Sequence, residues 1–423
     1  MTEEEDKQVG YKVAVNIINK HRIATFEDTG EILYFNPELG YYTSANNLIT
    51  VICGSNPASS RPHILKTVML TIQAKTFCKR FEEPRGYINL RNGVLNLETL
   101  ELSPHDPQYP FLGRVEIDYL PTATCPIFES TISDVLLSKD ILLLQEWFGY
   151  HFIPKQPQKK FMVILGEKNS CKSTIINILS AMIGKSNVVN NRLGEFDDPG
   201  THATISLYGK MANTFADLPE ETIRDVGMLK ALTGNDYIGA RKHYKQKIEF
   251  INSAKLSFGC NRLPSLSLRV QEDDAFWDRV LLIQTQKIIE HPDRTLEDKM
   301  ITTELSGILN WALVGYQRIK NNPFTFTGDN VPEIWEESVV GSNPLEEFIL
   351  ENFIYIPDAT VSKNAVHELY EKYCQEHLIT WKMTQIKFNI YMKKLGLGYR
   401  KTSMRVDDHY ENIWLWEGIK SNA

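Results

Sequence analysis

The sequence predicts an α/β protein built on a strand–loop–helix unit, with a mixed α+β region before it and a winged-helix module after it. Three observations carry this reading. An apolar run, KKFMVIL, leads directly into GEKNSCKS at 166–173 and then into STIINILSAMIG, which is the order strand, glycine-bearing loop, helix. Strand-like runs recur downstream in KMANTF, AKLSFGC and RVLLI. Near the carboxyl end, two helical stretches are followed by two strand-like runs across a polar turn.

Length and composition set the frame. The 423 residues, 42% of them hydrophobic, suffice for about two to three domains with ordinary cores. No apolar run approaches the roughly 18 to 20 residues of a membrane span, and the opening MTEEEDKQ is acidic where a signal peptide is basic and then apolar. A cytosolic protein with no membrane partner is expected. The six cysteines, at 53, 78, 125, 171, 260 and 374, contain no C-x-x-C pair, which argues against a disulfide framework and a structural zinc site. The net charge of −7 does not suggest a polyanion binder, but its distribution does. Seven Lys or Arg and no acid lie between Lys382 and Arg405, and four more surround His243 between Arg241 and Lys247.

The chain divides into residues 1–135, 136–335 and 340–423. The first part opens on an amphipathic helix around Tyr11 to His21, continues through the strand EILYFN and the turn-rich SPHDPQYP, and shows no catalytic pattern. The second part begins with a helix, SKDILLLQEWFGYHFI, read as capped by Ser138.

The loop 166–173 departs from G-x-x-x-x-G-K-[ST] at Cys171, where the pattern has glycine. Gly166 lets the chain leave the strand in a conformation other residues resist. The backbone amides through Ser173 turn around phosphate oxygens, and the helix that follows adds its dipole. Lys172 neutralises β/γ charge and the Ser173 hydroxyl ligates Mg²⁺. Gly166, Glu167, Lys168, Asn169, Ser170, Cys171, Lys172, Ser173 and Thr174 form the expected ATP site. If position 171 is left-handed, a non-glycine residue there costs about 1 to 2 kcal/mol.

A nucleotide-cleaving site needs an acid at the end of a neighbouring strand. Asp217, closing KMANTFAD, fills that place as the second metal ligand beside Ser173, with Glu220 close behind. Asn261 ends the strand AKLSFGC and is placed to hold the attacking water. Arg279 precedes RVLLI; an arginine there serves either a surface ion pair or a neighbouring subunit's nucleotide.

The series GEKNSCKST, FADLPEE, LKALTGND, ARKHYK, FGCNRLP and FWDRV resembles the superfamily 3 helicases, in the phage and plasmid primase-helicase branch related to poxvirus replication helicase-primases. The resemblance is strong over about 138–335 and reaches the flanks through GYINLRNGVLNLETLELSPHDPQYP and TATCPIFES. It implies an AAA+ P-loop motor with a central parallel sheet that works as a homo-oligomeric ring, usually a hexamer, with ATP and Mg²⁺. Lys172, Asp217, Glu220 and Asn261 would act within one protomer, Arg279 would act across the subunit boundary, and Lys230 would be a second cation there. ALTGNDYIGARKHYKQKIEF resembles the channel hairpin of such rings, with Lys242, His243 and Tyr244 on single-stranded DNA.

In the third part, Ser362 is read as capping one helix and Thr384 a second, before YRKTSMRV and NIWLWE. Lys387, Asn389 and Lys393 are expected outward on the second helix, and Arg400 and Lys401 on the wing, as contacts to duplex DNA. The expectation is an ATP-dependent DNA helicase of a virus, plasmid or integrated element, with a primase or polymerase partner. The alternatives are a nucleotide-switched replication initiator and the helicase part of a primase-helicase. The region before residue 138 offers only VEID as an acidic pair, which argues against primer synthesis in this chain.

Overall fold

The computed structural model describes residues 3–55, 59–82, 84–196, 202–219, 223, 225–241, 247–264, 266–267, 270, 273–322, 325–327, 344–377, 385–406 and 409–422. The chain falls into two units, Met1–Val331 and Pro332–Ala423.

The first unit opens with helix α1 (Glu3–Lys20), strands β1 (Ile23–Phe26), β2 (Ile32–Asn36) and β3 (Tyr41–Ser44), helices α2 (Asn46–Gly54) and α3 (Pro62–Thr76), and strand β4 (Phe77–Cys78). The strands form a sheet in the order β3-β2-β1-β4. Its own core runs from Ala14 and Ile17 on α1 to Ile64, Val68 and Ile72 on α3, the spacing of a helix with one apolar face. Strands β5 (Tyr87–Leu90), β6 (Gly93–Asn96) and β7 (Leu102–Ser103) then make an antiparallel meander.

Helices α4 (Pro126–Val135) and α5 (Ser138–Tyr150) lead into β8 (Phe161–Leu165), whose five residues are all buried. Helix α6 (Lys172–Ile183) follows, then β9 (Val188–Val189), β10 (Ala212–Phe215), α7 (Gly227–Gly234), β11 (Tyr237–Arg241), β12 (Lys247–Ile251), β13 (Lys255–Cys260), β14 (Val280–Gln284), α8 (Leu296–Thr303) and α9 (Leu305–Asn321). The central sheet has the order β14-β8-β13-β10-β9, and every neighbouring pair in it is parallel. Being covered on both faces, β8 and most of β14 read as continuous apolar runs instead of alternating ones, and β13 is buried throughout although Lys255 and Ser257 interrupt its apolar residues. Strands β11 and β12 form a separate antiparallel hairpin, paired from Tyr237↔Ile251 to Arg241↔Lys247.

One core joins both sides of residue 135, from Ile88, Leu90 and Leu95 through Trp147 and Phe148 to Leu309 and Phe326. Two glycines let α5 and α9 cross closely. A Cβ on Gly149 would lie 2.3 Å from the Tyr316 amide nitrogen, and one on Gly315 would lie 1.9 Å from the Gln145 carbonyl oxygen. Beside this crossing the buried Glu146 accepts from Arg318 Nε at 2.9 Å and from the Thr327 amide at 2.7 Å, so its charge is paired and hydrogen-bonded. The first amides of α4 are capped from far along the chain. The buried Glu304 carboxylate accepts from the Ile127 and Phe128 amides, each at 2.9 Å, satisfying donors that the helix leaves open.

Ser138 does not cap α5. Leu137 is the cap residue, no side chain bonds the exposed amides, and Ser138 is already helical. Gly184 ends α6 with φ 91°, as its position predicts.

The second unit contains α10 (Pro344–Asn352), β15 (Phe353–Ser362), α11 (Lys363–Glu376), α12 (Gln385–Lys394), β16 (Gly398–Val406) and β17 (His409–Ser421). Its antiparallel sheet has the order β15-β17-β16. Phe348, Tyr370, Phe388, Met392 and Trp416 centre a third core. Ser362 stands at the cap of α11 without a side-chain bond to it, and Thr384 lies outside the described residues.

Candidate functional site

The loop 166–171 leaves the carboxyl end of β8, between β14 on one side and β13 on the other, where open α/β sheets bind ligands. Its anchors are main-chain bonds. The Gly166 amide donates to Cys260 O at 3.2 Å, the Thr285 amide to Leu165 O at 2.9 Å, and the Ile289 amide to Asn169 O at 2.8 Å.

Gly166 is needed for a reason other than backbone freedom: its φ is not in the left-handed region. A Cβ at this position would fall 1.7 Å from Thr285 Oγ1 and 2.7 Å from Ser170 Oγ, so only glycine fits between the two hydroxyls. The left-handed residues of the loop are Asn169, φ 62°, and Cys171, φ 64°. Cys171 therefore adopts the conformation for which the second motif glycine is suited. Alternating handedness of this kind turns successive amides into a concave anion nest. Burial pushes the Cys171 thiol up, with Asp134 adding to the shift, so the group stays a protonated, half-buried thiol.

Lys172 begins α6 with its side chain buried. Its ammonium donates to Glu167 O at 2.6 Å, and the Ser170 hydroxyl donates to the same carbonyl at 2.7 Å. Burial pulls the Lys172 pKa down, against the opposing pull of Cys260, Asp217 and Glu167. A polyanion in the loop would reverse that shift. Ser173 is exposed in the first turn of α6, half-buried Thr174 follows it, and Glu167 and Lys168 are exposed on the loop.

Asp217 and Asn261 lie beyond the carboxyl ends of β10 and β13, which pair in parallel through Phe215↔Phe258. Asn261 Nδ2 donates to Asp217 Oδ1 at 3.4 Å, both residues being exposed. Gly259 makes this approach feasible, because a Cβ there would lie 2.5 Å from Ala216 O, and its carbonyl accepts from the Leu218 amide at 2.7 Å. Thr285 and Gly259 are positioning residues that the motif pattern does not reveal. The only sequence signals for them are a glycine inside an apolar strand and a hydroxyl just after one.

Arg279 is at the other end of the sheet. Its carbonyl accepts from the Phe161 amide at 2.8 Å, at the start of β8, so the five residues of that strand separate it from the loop, about 16 Å at a rise of about 3.3 Å per residue. Its guanidinium donates to Thr233 Oγ1 at 3.1 Å and to Ala275 O. Lys230, one turn back on α7, pairs with Asp273 at 2.5 Å. Lys172, Ser173, Asp217 and Asn261 thus collect at one end of the sheet, and Arg279 and Lys230 at the other. Glu220, Lys242, His243 and Tyr244 lie outside the described residues, as does the side chain of Lys387.

In the second unit Lys393, Arg400 and Lys401 are exposed. Asn389 is half-buried, contrary to the outward placement expected of it, because Phe388 and Met392 occupy the core stripe of α12 immediately beside it.

Residues 164–279 match the DUF5906 family of unknown function, and residues 55–137 match the family described as D5 N terminal like. A putative helicase, L207/L206, of Acanthamoeba polyphaga mimivirus is 24% identical over 272 residues, 61% of this chain and 28% of that protein. In these matches the chain resembles the phage and viral primase-helicase type. It spans less than a third of the length of this viral relative. The apo structure of the NrS-1 C-terminal region, residues 305–718, superposes with a TM-score of 0.54 at 11% identity, covering 98% of this chain and all of that one. The A form of the same region gives 0.53 at 10% identity, covering 96% and 98%. These structures share the fold of this chain, a mixed α/β arrangement around a parallel sheet. Among the described residues, no helix is long and apolar enough to cross a membrane.

Proposed function

We propose that the chain is an ATP-dependent DNA helicase of the AAA+ superfamily 3 type, translocating on single-stranded DNA as a homo-oligomeric ring during replication of a virus, plasmid or integrated element. The observation that carries this reading is the convergence of the 166–173 loop, Asp217 and Asn261 at the carboxyl ends of adjacent parallel strands, with Arg279 at the opposite end.

The loop fits a triphosphate. The space where a Gly166 Cβ would stand is closed by hydroxyls, the left-handed residues turn amides inward, and Lys172 holds a movable ammonium on a loop carbonyl. Ser173 and Asp217 suit Mg²⁺, which is commonly held by few protein oxygens together with substrate phosphates. When bound, Mg²⁺ would neutralise charge on the β- and γ-phosphates. Lys172 would leave the Glu167 carbonyl for phosphate oxygens. Asn261 would exchange its long bond to Asp217 for one to the attacking water, holding that water against the γ-phosphate.

Arg279 cannot reach its own protomer's loop across the strands, which supports action on a neighbour's nucleotide. Such contact joins two different surfaces and generates a ring when the rotation closes; the family resemblance puts that ring at six protomers. The β11–β12 hairpin supports the reading of 237–251 as a channel element. The order helix, strand, helix, helix, hairpin in 344–421 supports a winged helix in the second unit, with Lys387, Lys393, Arg400 and Lys401 toward DNA. A primase or polymerase partner would complete the replication role.

The test is ATP turnover and forked-duplex unwinding by the full chain and by Lys172→Ala. Turnover stimulated by single-stranded DNA, and lost in the variant with an unchanged far-UV spectrum, is expected. DNA-indifferent turnover without unwinding would favour a nucleotide-switched initiator instead, and full turnover in Lys172→Ala would remove the loop from the chemistry.

A further inference from the structure

The β16–β17 hairpin carries exposed aromatic area that its basic residues do not explain. Tyr399 and Lys401 share one face of β16 and stand opposite Trp416 and Trp414 on β17. Tyr399 is 43% and Trp414 47% exposed, with ring centroids 5.8 Å apart, whereas Trp416 is fully buried. Large rings usually supply burial area, so two left open side by side on a sheet ask for an occupant.

Three ammonium groups surround them. Lys363 Nζ lies 3.8 Å from the Tyr399 ring centre, 4.0 Å from that of Trp416 and 5.6 Å from that of Trp414. Lys393 Nζ lies 4.3 Å from the Tyr399 ring centre and donates to its hydroxyl at 3.2 Å, and Lys401 Nζ lies 5.9 Å from that of Trp414. Cation–π attraction accounts for part of this arrangement, but it does not neutralise the charge. The nearby carboxylate of Glu417 is engaged by Arg400 at 3.3 Å, and both of these belong to the opposite face of the hairpin by the strand register. Among the described residues, none of the three lysines has a carboxylate partner. Lys363 also occupies the first turn of α11, where the helix dipole disfavours a cation. Burial and then Lys393 pull the Lys363 pKa down, while Lys393 followed by Lys363 pulls the Tyr399 phenol down. Among the described residues, the cluster is therefore a positive site without a carboxylate partner, built around two partly exposed rings of which Trp414 is the less covered by lysine.

We propose that this face is a stacking site for an unpaired base of single-stranded DNA, with Trp414 and Tyr399 against the base and Lys363, Lys393 and Lys401 around the adjoining phosphate. An aromatic face accepts any base, and lysines around it meet the backbone, so the site is indifferent to sequence. A blunt duplex keeps its bases stacked inside and offers the lysines only phosphates. The choice of DNA rests on the motor reading, and the proposal deepens it by giving the second unit a preference for the open strand over the duplex that the groove-reading helix alone would engage.

The experiment is fluorescence anisotropy on the full chain without nucleotide, using a labelled oligodeoxythymidine, an abasic strand of equal length and a blunt duplex. Trp414→Ala is expected to weaken oligodeoxythymidine binding by about tenfold or more, the scale of one stacked base, and to change the other two probes by less than about twofold. Trp414→Phe should recover most of the loss. Lys401→Ala should weaken all three and reduce the salt slope on the strand by about 0.7. Equal loss on the three probes in Trp414→Ala, or no loss on the strand, overturns the proposal. Binding is read apart from hydrolysis, so the two readings fail separately. A chain without ATP turnover that still shows the selective loss refutes only the motor, and normal turnover with unchanged binding refutes only the stacking site.

Discussion

Asn261 donates its side-chain amide to the Asp217 carboxylate across 3.4 Å, joining the ends of two neighbouring parallel strands. The bond is long for a hydrogen bond to a carboxylate, and both groups are exposed, so water competes for each of them. Asn261→Ala should lower kcat for ATP by about 100-fold, in the range for a positioned hydrogen-bonding amide at a reacting centre, with KM changed less than about threefold. Steady-state turnover checks this. A raised KM at unchanged kcat would instead assign Asn261 to ground-state binding.

Cys171 holds a left-handed backbone, φ 64°, which disfavours a side chain by about 1 to 2 kcal/mol, while glycine loosens the unfolded chain by about 0.4 to 1 kcal/mol. The two effects nearly cancel. Cys171→Gly should gain less than about 1 kcal/mol in urea unfolding and leave turnover near wild type or modestly faster. Cys171→Val, branched at Cβ, should lose about 1 to 3 kcal/mol. A large stability or activity loss on restoring glycine would give the thiol a role that its geometry does not show.

Arg279 and the loop stand at opposite ends of β8. Arg279→Ala chains alone and Lys172→Ala chains alone should each hydrolyse poorly, and mixtures should recover part of the wild-type rate, because one kind supplies the loop and the other the arginine. Absence of recovery at every mixing ratio would mean that the site is completed within one protomer.

His151 is buried with Nδ1 donating to Trp147 O at 2.8 Å, and burial, helped by nearby Lys255, lowers its pKa to about 3. The unfolded chain binds a proton here near pH 6.5 that the fold excludes, so this contribution is fully present above about pH 6.5 and is lost as the pH falls toward 3. Between about pH 6 and pH 4, wild type should lose about 1.4 kcal/mol per pH unit more than His151→Gln. Denaturant titrations at several pH values measure the difference, and equal slopes would place the imidazole in contact with water.

What the sequence disclosed follows from how local each signal is. Strands β8 and β14 are short, largely apolar runs, and β10 and β13 are short buried runs that give way to polar residues, so Asp217, Asn261 and Arg279 could be assigned to strand ends by inspection. The tertiary contacts were not visible in this way. Thr285 limits Gly166, and Ala216 limits Gly259, each across strands that only the sheet order brings together. Strand β15 escaped notice because Pro357 interrupts it; the strand tolerates this as an edge, with a register shift between Tyr355 and Thr360. Ser138 misled because cap preference is statistical, and the chain here turns into the helix one residue earlier, at Leu137.

Glu304 closes the first turn of α4 from 177 positions beyond Ile127. On a ribosome adding roughly 5 to 20 residues per second, that turn is synthesised roughly 10 to 35 seconds before its acceptor emerges. Nascent chains arrested short of residue 304 should therefore expose the 126–135 segment to proteases and chaperones, and arrest a few dozen residues later should protect it, so that α4 matures only after α8 has been made.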